Sequence, residues 1–426
     1  LGFIIGLQYS AIIVAGSLLS WFVFVPLVYE IGRHLTVPLG ATAVKLIADM
    51  SPEEIFRFYV RPIGIGGIAM AGIIGIVRSS KIIAGAFSLA YKEIVHHKSG
   101  AEAAERTQTD IKMLWVVTLI LLTALAILIF FITGVVPTII QAVIALLVVV
   151  IISFLFTTVA ANATAIVGTN PVSGMTLMTL ILSSFVLMQV GLTGESGMLS
   201  AMIIGGVVCT ALSVAGGFIT DLKIGYWLGS TPRKQESWKF LGVLVSAATV
   251  GGVILILNQA YGFTGEKGMV APQANAMAAV IKPLMSNAPT PWVLYIIGAV
   301  IALLLLILKV PPLAFALGMY IPQELNTPLL IGGIIAWFVS SRSKNEKLNN
   351  ARTQRGTLIA SGFIAGGALL GVFNAFLKFI DQQWTFGYTA WFNSQWADSA
   401  NGEVTGLIMF LLLCGYATWD SLRGKE

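Results

Sequence analysis

Charge is what this 426-residue chain has least of: 10% of its residues are Asp, Glu, Lys or Arg, while 57% are hydrophobic. A water-soluble domain carries about 25% charged residues. That deficit and a mean hydropathy of +0.89 exclude a soluble globular protein and place the chain in a bilayer. Cysteine is nearly absent too. Cys209 and Cys414 lie within apolar segments without metal-ligand spacing or a CxxC pairing, so both are read as small core residues. The three histidines, His34, His96 and His97, fall in polar linkers. Adjacent His96 and His97 point in different directions on a helix and make a poor metal site without further ligands.

Other absences narrow the function. The chain has no nucleophile elbow, zinc-protease helix or phosphate-binding Gly-Lys-Ser/Thr loop. ATP-driven transport is therefore not expected unless another subunit supplies it, and no cofactor is expected. The formal charge is +6, but the basic residues are confined to loops between apolar spans, the mark of membrane topology and not of nucleic-acid binding. The first residue is Leu1, and the first thirty residues lack the charged start and cleavage site of a signal peptide. Residue 1 is read as a truncation or the start of a gene fragment.

What the chain does have is long apolar runs, and about twenty such residues cross a membrane. Spans are expected at Gly2–Val28, Met113–Thr133, Thr138–Ala161, Met175–Leu192, Met198–Ile219, Phe240–Leu257, Trp292–Leu308, Leu358–Phe379 and Val404–Thr418. Shorter Gly-rich runs at Ile63–Val77 and Leu329–Ser340 are spans or half-spans. The fold class is thus an all-α polytopic membrane bundle with broken or re-entrant helices. Segments Arg78–Lys112, Asp221–Lys239 and Arg342–Arg355, with the tail after Ser421, hold 17 of the 25 Lys and Arg. The positive-inside rule makes these segments cytoplasmic.

Alternation of sides then requires Lys309–Asn326 to go back out or to dip and return. Val310-Pro311-Pro312 and Ile321-Pro322 bracket it, as suits a broken helix. The short run Ala271–Lys282 is too polar to cross and is expected as a re-entrant or surface helix.

An internal repeat accompanies this layout. Val25-Pro26-Leu27, Ile65-Gly66-Gly67-Ile68 and Arg78-Ser79-Ser80-Lys81 return in order as Val310-Pro311-Pro312-Leu313, Ile331-Gly332-Gly333-Ile334 and Arg342-Ser343-Lys344. Paired halves are common in secondary transporters. The expected division is residues 1–161, the latter part of a first half with its connecting spans, and 162–426, a second half. Asn170 lies 162 residues before Gly332, whereas 65 residues precede Gly66. On this repeat, roughly a hundred residues of the first half are missing.

The most informative stretch is Gly168-Thr169-Asn170-Pro171-Val172-Ser173-Gly174-Met175-Thr176. It sets helix breakers and small polar side chains between apolar spans. Broken backbone at membrane depth persists only where protein or a water-filled cavity satisfies it, so Asn170, Ser173, Gly174 and Thr176 are candidate solute-binding residues. A tight cytoplasmic loop between two spans fits the same spacing. Asn162-Ala163-Thr164-Ala165 adds small polar groups on the approach, or helix-packing positions. Gln273 and Asn275, in an Ala-rich short helix, suit hydrogen bonds to peptide amides or carboxylates, or plain surface solvation. Glu324 is an acid in a Pro-bounded segment placed near or inside the membrane. There it is a candidate for proton coupling; in a loop it is solvated and idle. Asp221 and Lys223 are read as a helix cap with positive-inside residues.

Asn170-Pro171-Val172-Ser173-Gly174-Met175-Thr176 resembles the oligopeptide transporter (OPT) family, which includes peptide carriers and yellow-stripe-like carriers of metal–chelator complexes. Asp221–Gly225 with Thr231–Gln235, Ala271–Asn275, Pro312–Ala316 with Asn326–Pro328, and Arg355-Gly356 with Ala360–Gly362 are similar to its bacterial branch, in order. The resemblance implies a multi-pass helical carrier of the cytoplasmic membrane that is not an enzyme. Its substrates would be small peptides or peptide-like metal chelates, siderophore- or nicotianamine-like, imported by proton symport. Members are typically longer at the N-terminus.

Two other classes are weighed. A helical channel would more naturally repeat one short filter in symmetric subunits than place unlike broken segments in unequal halves. An intramembrane enzyme would need a convergent catalytic pair, and acids, His and Cys are scarce inside the spans. On the carrier reading, Asn170, Ser173 and Gln273 or Asn275 line a common cavity near mid-membrane.

Overall fold

The computed structural model describes residues 1–37, 45–78, 105–167, 172–263, 291–384 and 399–425, with isolated positions 274, 277, 278, 281, 285 and 387. Among them are helices and no strand. The helices are α1 (Gly2–Leu18), α2 (Val25–Gly32), α3 (Pro52–Ile55), α4 (Arg61–Arg78), α5 (Met113–Gly134), α6 (Ile139–Val167), α7 (Val172–Gln189), α8 (Gly194–Leu228), α9 (Pro232–Tyr261), α10 (Trp292–Ile307), α11 (Pro312–Tyr320), α12 (Gln323–Ser341), α13 (Glu346–Trp384) and α14 (Ala400–Leu422). Eight helical stretches among the described residues are long and apolar enough to cross a membrane. The chain is a multi-pass helical membrane protein.

Local chemistry places the ends and breaks. Ser51 and Glu54 form a reciprocal capping box, with Pro52 in the first helical position of α3. A π turn, Leu19–Phe24, precedes Pro26 inside α2. Its wider turn accommodates the hydrogen bond that proline cannot donate. At the corresponding point of the second copy there are two prolines, and the helix stops instead. α10 closes with Lys309 N–H on Leu306 O (3.1 Å) and Val310 N–H on Leu305 O (2.9 Å). Lys309 sits at φ 59, a left-handed position usually given to glycine. α11 then rises about 14 Å over its nine residues, less than half the hydrocarbon thickness.

Two compact units divide the chain. The first comprises Leu1–Phe24, Val245–Ala271 and Leu317–Glu426. Its principal pair is α1 against α12, and Phe3, Ala336 and Val339 form its buried apolar cluster. Arg355 of α13 grips Asp420 of α14 through two hydrogen bonds, Nη2 to Oδ1 at 2.8 Å and Nε to Oδ2 at 3.1 Å. Arg355, expected in a loop, thus lies inside a 39-residue helix.

The second unit comprises Val25–Leu244 and Pro272–Ala316. Here α4 packs on α10, while α6, α7 and α8 share a core that includes Phe156, Leu180, Ile204 and Leu212. Polar groups at the turns are tied off across helices. Gln141 Nε2 donates to Val190 O (3.1 Å), and Ser200 Oγ donates to Val135 O (2.9 Å). Outward threonines bond their own helix, Thr118 to Leu114 O and Thr123 to Leu119 O at 2.8 Å each, so they need no water. Apolar side chains stay exposed along α5 and α9, and hydrocarbon is the solvent that tolerates such faces.

Both units use glycine where helices cross. A Cβ at Gly298 of α10 would overlap the Ile63 carbonyl of α4, and one at Gly333 of α12 would crowd Ser10 and Leu7 of α1. Small residues permit this backbone-to-backbone approach, which drives helix association in lipid. Gly298→Ala is expected to lower stability by about 1–3 kcal/mol, seen as a lower Tm in detergent. Gly206→Ala, whose Cβ meets nothing within 4 Å, should leave Tm unchanged.

Candidate functional site

The described residues of α6 end at Val167 and those of α7 begin at Val172. Asn170 falls between them and lies outside the described residues. Ser173 and Gly174 are the second and third residues of α7, in its first turn. Thr176 follows on the same helix and is buried, at 2% exposure.

Thr176 starts a hydroxyl-bearing stripe that hydropathy does not reveal. Thr179, Ser183 and Ser184 continue it at helical spacing, and all are buried. Thr179 Oγ1 donates to Met175 O (2.9 Å) and Ser183 Oγ to Leu180 O (3.2 Å). Ser184 Oγ has no hydrogen-bond partner among the described residues. α7 packs against α4, α6 and α8, so this polar face is enclosed by protein on several sides. Hydroxyls buried at the end of a broken helix can exchange intrahelical bonds for bonds to a solute without exposing themselves to lipid.

Gln273 and Asn275 also lie outside the described residues. Downstream, Met277, Ile281 and Met285 recur at helical spacing. Ile281 and Met285 are fully buried in the core shared by α6, α7 and α8, and Met277 packs against it. Of the two placements left open for this segment, these residues have the environment of a segment packed into the bundle.

The other unit contains the second break. α11 ends at Tyr320 and α12 begins at Gln323, with Pro322 in extended backbone at the junction. Glu324 is exposed in the first turn of α12. The residue that holds this break is one the sequence reading did not single out as functional. Asn326, 3% exposed, donates Nδ2–H bonds to Gly318 O (3.2 Å) and Ile321 O (3.1 Å). Gly318 is four residues before Pro322, so its carbonyl would accept from the N–H that proline lacks. Asn326 supplies that donor. Ser20 Oγ donates to Met319 O (3.3 Å) at the same end of α11. The only signal for this in sequence was an amide side chain four residues after a proline.

Asp221 is not a cap. It lies within α8, which runs on to Leu228 and ends where Gly229 turns left-handed, and it pairs with Lys239 of α9 at 2.6 Å.

Replacing Asn326 with Leu leaves two buried carbonyls without a donor and should cost about 1–3 kcal/mol. Asn326→Asp, which accepts but does not donate when ionised, should lower Tm in detergent similarly. A wild-type Tm for Asn326→Asp would contradict the donor role.

Comparison with known proteins gives this architecture a family. The model of the family described as OPT oligopeptide transporter protein matches residues 1–378. The chain is 26% identical over 421 residues to a Haemophilus influenzae protein named "Putative oligopeptide transporter". That match takes in 88% of this chain and 64% of the relative, so the chain spans just under two thirds of the relative's length. No solved structure matches. With most of its length matched by the family model, the chain belongs to the OPT oligopeptide transporter family.

Proposed function

We propose that this protein is a secondary active transporter that imports small oligopeptides across the cytoplasmic membrane, coupled to protons. The observation that carries the reading is the buried hydroxyl face of α7, formed by Thr176, Thr179, Ser183 and Ser184. A peptide is a string of amides with charged termini. A small-residue break with freed backbone groups offers it donors and acceptors without demanding one side chain. Asn170, Ser173, Gly174 and Thr176 form one wall of the proposed site, and Gln273 and Asn275 supply amides from the segment whose downstream residues pack into the same core.

The reading keeps two related halves, residues 1–161 and 162–426, each with a Gly-Gly span that packs closely on another helix. In the repeat, Gly66-Gly67 corresponds to Gly332-Gly333. One pair approaches α10, the counterpart of α1, and the other approaches α1 itself. Each second span of one half therefore meets the first span of the other. Such reciprocal pairing suits rocking of two related bundles around a fixed site. Glu324 is the proposed proton-coupling group. It stands in the first turn of α12, two residues after the break at Pro322, where a change of protonation acts on a short, separately hydrogen-bonded joint. On this reading Arg78–Lys112, Asp221–Lys239, Arg342–Arg355 and the tail face the cytoplasm.

Proteoliposomes with an imposed inward proton gradient should accumulate members of a mixed di- to tetrapeptide pool, read by mass spectrometry. Folded protein that takes up no peptide would redirect the assignment to metal–chelator complexes. Uptake that follows only the solute's own gradient would favour a channel. Thr176→Val should raise the peptide KM roughly tenfold, the value of one lost hydrogen bond. Glu324→Gln should flatten the pH dependence of uptake while leaving Tm unchanged, and an unaltered pH profile would remove Glu324 from the coupling.

A further inference from the structure

Apart from the transport site, a polar cleft of about 480 Å³ lies where α8 turns into α9, lined by Arg106, Gly229, Thr231, Lys234, Gln235 and Trp238, with Ser230. The turn is built by sequence. Gly229 adopts φ 65, and Ser230 N–H closes on Gly225 O at 2.8 Å, which ends α8 and lets α9 start at Pro232. Arg106 comes from the preceding segment. Its Nη1 donates to Thr231 Oγ1 (3.0 Å) and its Nη2 to Gly229 O (2.9 Å). These bonds fix the guanidinium at the cleft and leave N–H donors over.

Lys234 lines the cleft one helical turn before Trp238, on the same face of α9. Its backbone N–H closes on Thr231 O at 3.0 Å, while its ammonium makes no hydrogen bond or ion pair among the described residues. The neighbouring carboxylates of α8 and α9 are committed elsewhere: Asp221 to Lys239 at 2.6 Å, and Glu236 to the Ile111 N–H at 2.8 Å. The two cations of the cleft are therefore not neutralised by these acids. Exposed Tyr226, Trp227 and Trp238 surround the turn, and Lys223 stacks over Tyr226 and Trp227 at 5.2 and 5.4 Å from the ring centroids. Exposed Trp and Tyr beside lysine at the end of an apolar helix mark the depth of lipid headgroups.

We propose that this cleft binds the phosphate of an anionic phospholipid. Arg106 and Lys234 take the phosphate oxygens, and Trp238 lies beside the glycerol and upper acyl chain. A basic pocket at headgroup level is the arrangement that retains such lipids, and a planar guanidinium beside a lysine supplies both directional and point-charge contacts to phosphate. The assignment depends on the membrane placement of α8 and α9, and not on what the protein carries.

The test is native mass spectrometry of the purified full chain in detergent. The protein is titrated with phosphatidylglycerol, with zwitterionic phosphatidylcholine, and with inorganic phosphate as competitor. Phosphatidylglycerol should be retained in preference to phosphatidylcholine. Lys234→Gln should weaken that retention about 5-fold and Arg106→Gln/Lys234→Gln roughly 30-fold, as expected for cations at a lipid surface. Arg106 also ties the turn, so Lys234→Gln, which removes no internal bond, carries the test if the double variant misfolds. Displacement of the lipid by inorganic phosphate at equal concentration would keep phosphate as the ligand and overturn lipid as its source. Equal retention of the two lipids, or undiminished retention by Lys234→Gln, would overturn the site.

Discussion

Every backbone N–H and C=O at membrane depth needs a partner, and this requirement governs where the chain is allowed to stop being helical. An apolar helix meets it internally. Each break must meet it by other means, and several are visible here. The π turn before Pro26 widens the helix instead of ending it. Asn326 stands in for the missing N–H of Pro322, and Ser20 takes the Met319 carbonyl. Gln141 and Ser200 cover carbonyls at neighbouring turns. A break so supported is stable without being part of a continuous helix, and a joint of that kind can change its hydrogen bonds without unfolding a span.

The spans and the Pro-bounded break that follows α10 were legible in sequence because they depend on local composition. Every expected span has a helical counterpart among the described residues, whereas the break expected at Asn170 lies outside them. Helix lengths were less legible. α8 and α13 continue past their apolar cores, because a charged residue ends a hydropathy window but does not break a helix. Asp221 and Arg355 stay helical, each with a partner on another helix. Asn326 escaped notice for a different reason. Its role depends on folding back across Pro322 onto Gly318, a relation between carbonyl and amide that residue types alone do not specify. The stripe from Thr176 to Ser184 was half legible: its first residue belonged to a motif, but the rest is spread among leucines, isoleucine and phenylalanine.

Glycine has two functions in this chain, and they separate cleanly. At Gly298 and Gly333 it allows helix backbones to touch, which gives packing energy that the hydrophobic effect does not supply in lipid. At Gly229 it reverses the chain. The crossings are close backbone contacts, and the proline-flanked breaks are held by side-chain hydrogen bonds. Membership of a transporter family is consistent with such a division, since a carrier needs firm bundles and a small number of places where the backbone can rearrange.

On the proposed reading, the buried hydroxyl face of α7 lines a path that peptides occupy. This is tested most directly by replacing Cys209 and Cys414, placing a single cysteine at position 176, and measuring labelling by a membrane-impermeant maleimide with and without peptide. Position 176 should label slowly but measurably from the aqueous phase, and a transported peptide should suppress the labelling, while a cysteine on the outward face of α9, such as Leu255→Cys, is not protected. Absence of labelling in folded protein, or labelling indifferent to peptide, would contradict that reading.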